Sequence, residues 1–437
     1  MKILLLTDFH FKSVKAEQVP QNQIVDELIR IAQQHDLQPD YLFFAGDLVF
    51  SGDKPEEFAL AKRCLLDPLL RAFKLSNEQL FICPGNHDVA RENVSNSIVK
   101  NITSFTSDEE LNRFCKAKDF DYRSSQLPLA NYRAFVQEEL AYQEGENHYA
   151  DFYTAHIRQV GGQCVGLVCL NTAWRAVGPD DDHNLMVPTE AVQEACALIE
   201  RCDVKLLLQH HPSGDLKGYN RRSFEDLTHN QFNVSFSGHF HEEVKHVYLT
   251  NNNGIVKIEG AAIYAPRDGS QRGFTYVELQ PAEWVANCTS YYYDPNTKLF
   301  YQGKHQAIDI PVDTHKSEQN RFRKKLLDKY EQEEDKANDL FLNGRSRTGD
   351  ESFTRLWTPP VLSTRHADQN KDEVELAQFD VRTLLKHDQV YLLLGKDKCG
   401  KTSLLTKLLL DSLDNFSTQD VVPMLVSFKN AHPLLDN

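Results

Sequence analysis

Five short clusters of Asp, Asn and His recur along this sequence, each directly after an apolar run. They are Asp8-Phe9-His10, Gly46-Asp47, Gly85-Asn86-His87-Asp88, His210-His211-Pro212 and Gly238-His239-Phe240-His241. Carboxylate, carboxamide and imidazole donors without cysteine suit borderline divalent transition ions and disfavour a closed structural zinc site. Two such ions roughly 3.5–4 Å apart clamp a phosphoryl group, lower the pKa of a water and stabilise both the attacking and the leaving oxygen. The chemistry this donor set points to is therefore phosphoester hydrolysis. A lone DxH or GD is commonplace, and an isolated histidine at a strand end is more often a satisfied polar residue than a ligand. The five clusters matter only if the fold brings them together.

The flanking pattern supplies the elements that would do so. Lys2 to Thr7, Asp40 to Ala45 and Gln79 to Cys83 are short apolar runs that suit buried strands. Helical stretches lie between them, Gln21 to His35 by its periodicity and Pro55 to about Phe73. This βαβαβ start predicts a parallel or mixed sheet with helices on both faces. The polar, helix-prone segment from about Asn93 to Gly145 reads as a helical insertion over the sheet edge. Phe152 to Val160 and Gln163 to Leu170 flank a Gly161-Gly162 turn and predict a hairpin. A helix follows from Pro188 to about Cys202, then strands at Val204 to Gln209 and Asn233 to Ser237. Glu243 to Thr250, Gly254 to Glu259, Gly273 to Leu279 and Thr289 to Asp294 alternate with turn residues and read as antiparallel. The expected class is α/β, a two-sheet β-sandwich flanked by helices and ending near Val312. Ligands gather beyond the carboxyl ends of strands in such sheets, so all five clusters should line one crevice.

Bulk properties narrow the field. At roughly 100–200 residues per domain, 437 residues should hold two or three folded units. With 41% hydrophobic and 25% charged residues the chain reads as globular rather than disordered. The net charge of −15 means that any nucleic-acid contact must come from a local patch or from bound metal, not from the overall field. The nine cysteines are scattered singles and read as reduced thiols. MKILLLTDFHF is too short for a signal peptide and no apolar run approaches twenty residues, so no membrane span and a cytoplasmic location are expected. His183 and His246 lie outside the clusters and read as structural or exposed. Arg321 to Lys325 reads as a solvated helix face before it reads as a phosphate patch, and Tyr291, Tyr292 and Tyr293 as packing before base stacking.

Composition shifts after Val312. Residues 313–374 are charged, then Gly, Pro, Ser and Thr rich, and read as a linker. From 375 a second unit opens, with a strand at Gln389 to Leu394, the run Gly395-Lys396-Asp397-Lys398-Cys399-Gly400-Lys401-Thr402, a helix from Lys401 to Leu413 and a strand at Val421 to Phe428. The run fits GxxxxGK[ST] between a strand and a helix, the context of a phosphate-binding loop. Gly395 and Gly400 would shape the loop whose amides cradle the phosphates of ATP or GTP, Lys401 would reach the terminal ones and Thr402 would ligate Mg. A plain helix-capping turn is the alternative. One βαβ cannot bury both faces of its sheet, so the chain reads as the front piece of a longer protein.

The series DFH, GD, GNHD, HHP and GHFH resembles the calcineurin-like metallophosphoesterase superfamily over about Met1 to Val312, and the flanks AGDLVFSGDKPEEF and CPGNHDV resemble its cyclic-nucleotide phosphodiesterase-like branch. The resemblance implies a metallophosphoesterase fold and two divalent ions, Mn, Fe or Zn. It implies that Asp8, His10 and His241 hold one ion, that Asn86, His210 and His239 hold the other, and that Asp47 bridges them. The family ligand in HHP is the first histidine, hence His210 over His211. His87 matches the residue that contacts the phosphate and is a candidate acid for the leaving oxygen, with Asp88 orienting it. The runs TPPVL and VVPMLVSF resemble the entry to NACHT or STAND-type signalling NTPases, in which a nucleotide switch gates an N-terminal effector and assembly can run through the NTPase unit. No Walker B strand follows, so nucleotide hydrolysis by this piece is not expected. The expected function is a dinuclear metal-dependent phosphoesterase, by preference a phosphodiesterase, serving as a STAND-like effector. A nuclease acting on DNA or RNA, and a non-catalytic scaffold assembled through the P-loop unit, are the alternatives.

Overall fold

The computed structural model describes residues 1–143, 145–178, 181–241, 243–249, 254–264, 271–312, 329–330, 332–340 and 401–414. Two units are present, Met1–Ser317 and Glu318–Asn437.

The three apolar runs at the start are strands β1 (Lys2–Leu6), β2 (Tyr41–Ala45) and β3 (Leu80–Cys83), with helix α1 (Lys15–Gln34) and the helical stretch α2 (Pro55–Ala61) to α3 (Asp67–Phe73) between them. β1, β2 and β3 pair in parallel. β11 (Gly273–Gln280), β12 (Val285–Asp294) and β13 (Leu299–Asp309) extend the same sheet antiparallel beyond β1, in the order β13-β12-β11-β1-β2-β3. The second sheet has the order β4-β5-β6-β7-β8-β10-β9. Its members are β4 (Glu146–Tyr149), β5 (Tyr153–Val160), β6 (Gln163–Leu170), β7 (Val204–Leu208), β8 (Val234–Ser237), β9 (Val244–Leu249) and β10 (Gly254–Glu259). Gly161 and Gly162, at φ 56° and 74°, make the two-residue turn of the β5–β6 hairpin, a conformation that costs a side chain but not glycine.

The sheets meet through fully buried rings. Phe43 of β2 stands edge-on to Phe236 of β8 with centroids 5.2 Å apart, and edge-on to Phe81 of β3 at 5.8 Å. Each such ring contributes on the order of 1.5–3 kcal/mol through burial. Helices α4 (Asn96–Thr103), α5 (Asp108–Ala117), α6 (Phe120–Gln126) and α7 (Ala130–Phe135) form the insertion. α8 (Thr189–Leu198) and α9 (Gly218–Gln231) cover the second sheet.

Three elements were not legible in the sequence, and one pairing differs. β4 and β13 are edge strands with largely wet faces, so they lack the apolar alternation that marks a half-buried strand. α9 buries only Asn220, Phe224 and Thr228, one residue per turn and two of them polar. β10 was expected in an antiparallel series. It runs antiparallel to β9 but parallel to β8, because alternation specifies a strand's faces and not its direction. The tyrosine group packs: Tyr291 stacks on Phe274 with centroids 4.8 Å apart, Tyr293 meets Phe300, and Tyr292 donates to Glu243 at 2.5 Å. The eight described cysteines are free.

In the second unit residues 332–340 are helical, and Lys401–Asp414 is the helix expected after the GxxxxGK[ST] run. Gly395, Gly400, Arg321 to Lys325 and the strands expected at Gln389 to Leu394 and Val421 to Phe428 lie outside the described residues.

Candidate metal centre

β1, β2 and β3 of one sheet and β7 and β8 of the other release the five clusters at their carboxyl ends. Parallel pairing within each sheet puts all those ends on one side. Asp8 Oδ1 lies 3.2 Å from His241 Nε2 and 3.6 Å from His10 Nε2, and the two ring nitrogens are 3.3 Å from each other. His210 Nε2 lies 3.2 Å from Asn86 Oδ1 and 3.4 Å from Asp47 Oδ2, and Asp47 Oδ2 is 3.8 Å from His10 Nδ1. Donors about 2.0–2.1 Å from a tetrahedral ion are separated by roughly 3.3–3.4 Å, the spacing seen here. His239 joins the second group, its ring 5.2 Å from that of His210. The structure thus brings Asp8, His10, Asp47, Asn86, His210, His239 and His241 together, with Asp47 between the two groups.

The backbone is bent to achieve this. Asp8, His10, Asp47, His239 and His241 have φ of 55°, 46°, 57°, 78° and 55°. A left-handed residue with a Cβ costs on the order of 1–2 kcal/mol, somewhat less for Asp, and such strain collects where function needs a fixed geometry. Three glycines preceding the donors leave no room for a side chain. A Cβ at Gly46 would meet His210 Nδ1 at 2.6 Å, at Gly85 Asp47 Oδ1 at 2.1 Å, and at Gly238 Thr7 Oγ1 at 1.9 Å.

Hydrogen bonds set which atoms face the centre. The Ala45 carbonyl accepts from His210 Nδ1 at 2.6 Å, so Nε2 is the nitrogen turned toward Asp47 and Asn86. Asp8 Oδ2 accepts from Thr7 Oγ1 at 2.6 Å and from the His239 amide at 3.1 Å, which leaves Oδ1 for His10 and His241. The Phe50 carbonyl accepts from His87 Nδ1 at 2.8 Å, so His87 carries its proton there and leaves Nε2 free. Asp88 was expected to orient His87. Instead it is fully buried and accepts from the amides of Asp47 and Gly85, each at 2.9 Å, and of Val49 at 3.1 Å. Its place inside the turn, rather than beside the ring, makes it the clasp between the second and third loops.

Burial and the mutual charges of these groups set the electrostatics of the cluster. Burial holds the His10 and His239 rings down at about 4, with the nearby His210 adding to the effect at His239, and it drives His211 well below its ordinary value. Burial would lower His210 as well, but the Asp47 and Asp8 carboxylates outweigh it and push His210 up to about 10. Burial would raise Asp8 and Asp47, yet the cationic His210 wins, leaving Asp8 at about 2 and Asp47 well below the carboxylate range. Burial and the Asp47 charge lift Asp88 to about 7.

Three residues that sequence reasoning did not place here, Thr7, Thr172 and Asp215, complete the surroundings together with His211. Thr7 braces Asp8. His211, passed over in favour of His210, lies against His239 with ring centroids 4.6 Å apart; Thr172 Oγ1 is 2.9 Å from its Nδ1, and its buried Nε2 makes no hydrogen bond among the described residues. Asp215 Oδ2 is 3.6 Å from His239 Nε2. Aspartate three residues after HHP was the available signal. His183 is exposed, its Nδ1 donating to the Gly214 carbonyl at 2.6 Å, and His246 lies on edge strand β9.

Hard and borderline donors collected where the strands of two facing sheets end define the class of metal-dependent phosphoester hydrolases. The chain belongs to the calcineurin-like phosphoesterase family, whose model matches residues 1–243. No curated protein matches it. Similar solved structures include a phosphatase from Mycoplasma pneumoniae, at 13% identity over 74% of this chain and 98% of that chain with a TM-score of 0.31. The protein TT1561 of Thermus thermophilus is 9% identical over 69% of this chain and 98% of its own, with a TM-score of 0.32. Vps29 of Entamoeba histolytica complexed with zinc is 12% identical over 71% and 99%, with a TM-score of 0.28. No helix among the described residues is long and apolar enough to cross a membrane.

Proposed function

We propose that residues 1–312 form a dinuclear metal-dependent phosphodiesterase that serves as the effector of a STAND-like NTPase. What carries the reading is the spacing of the donors: two groups of O and N atoms at 3.2–3.6 Å, with Asp47 in the second group and its Oδ2 3.8 Å from His10 Nδ1 of the first. Asp8, His10 and His241 would hold one ion, Asn86, His210 and His239 the other, and Asp47 both. Manganese, iron and zinc all suit this mixture of imidazole and carboxylate. When bound, the ion pair supplies Lewis-acid polarisation of the phosphoryl oxygens and an activated water. It also adds about four positive charges where a phosphate must sit, which offsets the acidic balance of the chain.

The chain's own groups do the rest. Asp88 fastens the Asp47 and Gly85 loops so that the shared carboxylate cannot swing. His87, anchored through Nδ1 to the Phe50 carbonyl, presents Nε2 to the substrate; protonated there, it donates to the leaving oxygen as the ester bond breaks. The GxxxxGK[ST] run at Gly395 to Thr402, followed by the helix from Lys401, supports nucleoside triphosphate binding with Mg in the second unit, and through it the gating and assembly of the effector.

The test uses the full chain loaded with manganese and offered bis(p-nitrophenyl) phosphate, p-nitrophenyl phosphate, a cyclic nucleotide, RNA and plasmid DNA. Diester cleavage is expected. Replacing His87 with Ala should lower kcat on the diester by roughly 10²–10⁴-fold with metal content unchanged. Cleavage of DNA or RNA alone would make the protein a nuclease, and full metal loading without cleavage of any ester would leave the scaffold reading. Lys401→Ala should abolish ATP binding; wild-type ATP affinity in that variant would remove the P-loop from the proposal.

A further inference from the structure

Asp215 is buried, yet its Oδ2 makes no hydrogen bond among the described residues. The nearest opposite partner is the Nε2 of His239, 3.6 Å away. Leaving a buried carboxylate oxygen unmatched is unfavourable, so its position calls for a hydrogen-bond donor.

The turn that carries Asp215 is held from several sides. The Asp215 carbonyl accepts from the Leu185 amide at 3.0 Å, the Leu185 carbonyl accepts from the Lys217 amide at 2.9 Å, and the Gly214 carbonyl accepts from His183 Nδ1 at 2.6 Å. The Asp215 amide itself donates to the Pro212 carbonyl at 3.2 Å, which ties the turn to the HHP cluster. The His239 ring also neighbours His210 and His211, with centroids 5.2 and 4.6 Å away. The carboxylate is therefore on a fixed support, and the ring beside it is in contact with two neighbouring imidazoles.

We propose that Asp215 is the positioning residue of His239, accepting a hydrogen bond from Nε2–H and thereby leaving Nδ1 as the nitrogen that faces the metal. The proposal rests on the metal-centre reading above but not on the substrate. A neutral imidazole carries one proton, and placing it on Nε2 makes Nδ1 the only lone pair available. His10, His210 and His241 are arranged the other way, each with Nε2 turned to the shared donors. His239 would be the one imidazole of the centre that binds through Nδ1. Outer partners of this kind fix ring orientation and raise ligand basicity, and their loss typically costs 10–100-fold in metal affinity.

The experiment reads the metal directly. In the zinc-loaded full chain, long-range ¹H–¹⁵N spectra of the histidine rings should show His239 with its proton on Nε2 and a metal-shifted Nδ1. Calorimetric titration should give two ions per chain in wild type. Asp215→Ala should weaken one of them 10–100-fold and leave the other within about threefold. Asp215→Asn, which keeps the shape, should weaken it less and guards against a folding defect. Metal binding to His239 through Nε2, or wild-type affinity for both ions in both variants, would overturn the proposal. Normal zinc binding with the expected tautomer but no hydrolysis of any phosphoester would instead count against the proposed function and leave this assignment standing.

Discussion

Gly85→Ala should damage the centre without touching a ligand. The new Cβ would lie 2.1 Å from Asp47 Oδ1, 2.4 Å from the Asp47 amide nitrogen and 2.8 Å from its Cγ, whereas ordinary contact begins at 3.4 Å. One side must move by about 1.3 Å, and forced overpacking of this sort costs roughly 1–3 kcal/mol. The displaced atoms carry two bonds that involve carboxylates, His87 N–H to Asp47 Oδ1 at 2.8 Å and Asp47 N–H to Asp88 Oδ2 at 2.9 Å. Each is worth about 1.5–3 kcal/mol, and partial loss of both brings the total to roughly 4 kcal/mol. At about 2–4 °C per kcal/mol, the metal-free unfolding temperature should fall by roughly 8–16 °C. Manganese affinity should drop by more than about tenfold because the shared carboxylate leaves its place. Gly218→Ala is the control: it opens α9, a Cβ there meets nothing within 4 Å, and it should leave the unfolding temperature unchanged or slightly higher. The assays are thermal unfolding by circular dichroism without metal and calorimetric manganese titration. A Gly85→Ala protein that melts within 2 °C of wild type, on the order of 1 kcal/mol, and binds manganese normally would refute the close approach on which the reasoning depends.

Two further outcomes follow from the titrating groups. His210, pushed up to about 10, is a cation at pH 8 in the metal-free protein, whereas His10 and His239 at about 4 are already neutral. Filling the centre at pH 8 should therefore release one proton from His210 and about one more from the activated water, measurable by calorimetry in buffers of different ionisation enthalpy, and release of no more than the water's single proton would contradict the charge assignment. His156, held down at about 3 by burial beneath Phe81 and Tyr142, is neutral when folded and protonates near 6.5 when unfolded. The unfolded chain then binds the extra proton, so the neutral ring's contribution is complete above 6.5 and is lost as pH falls toward 3. Between pH 6 and 4 wild type should lose about 2.5 kcal/mol more than His156→Gln in denaturant titrations; parallel pH profiles would exclude the effect.

Much of this protein was legible before folding because its chemistry sits on short local signals. A strand followed by an acid or histidine recurs five times, three of them with a tight glycine between, and each signal is readable within a few residues, since period-2 burial and the need for space at glycine are local constraints. Convergence followed from a general rule about strand ends, so Asp8, Asp47, Asn86 and the three glycine turns could be placed together in advance. Asp88 could not be read correctly: next to His87 in sequence, it turns inward to three amides that come from two different loops. α9 and β13 escaped because they bury too little to leave a pattern.

The donor types, their order and the expectation of a phosphoester-cleaving metal centre were determined by the sequence alone. The direction of β10, the clasp made by Asp88, the choice of ring nitrogen at His87 and His210, and the approach of Asp215 to His239 were decided only by the tertiary structure. The reason is physical. Residue type states what a side chain can donate or accept, but which of its atoms is left free depends on carbonyls and amides brought from distant strands.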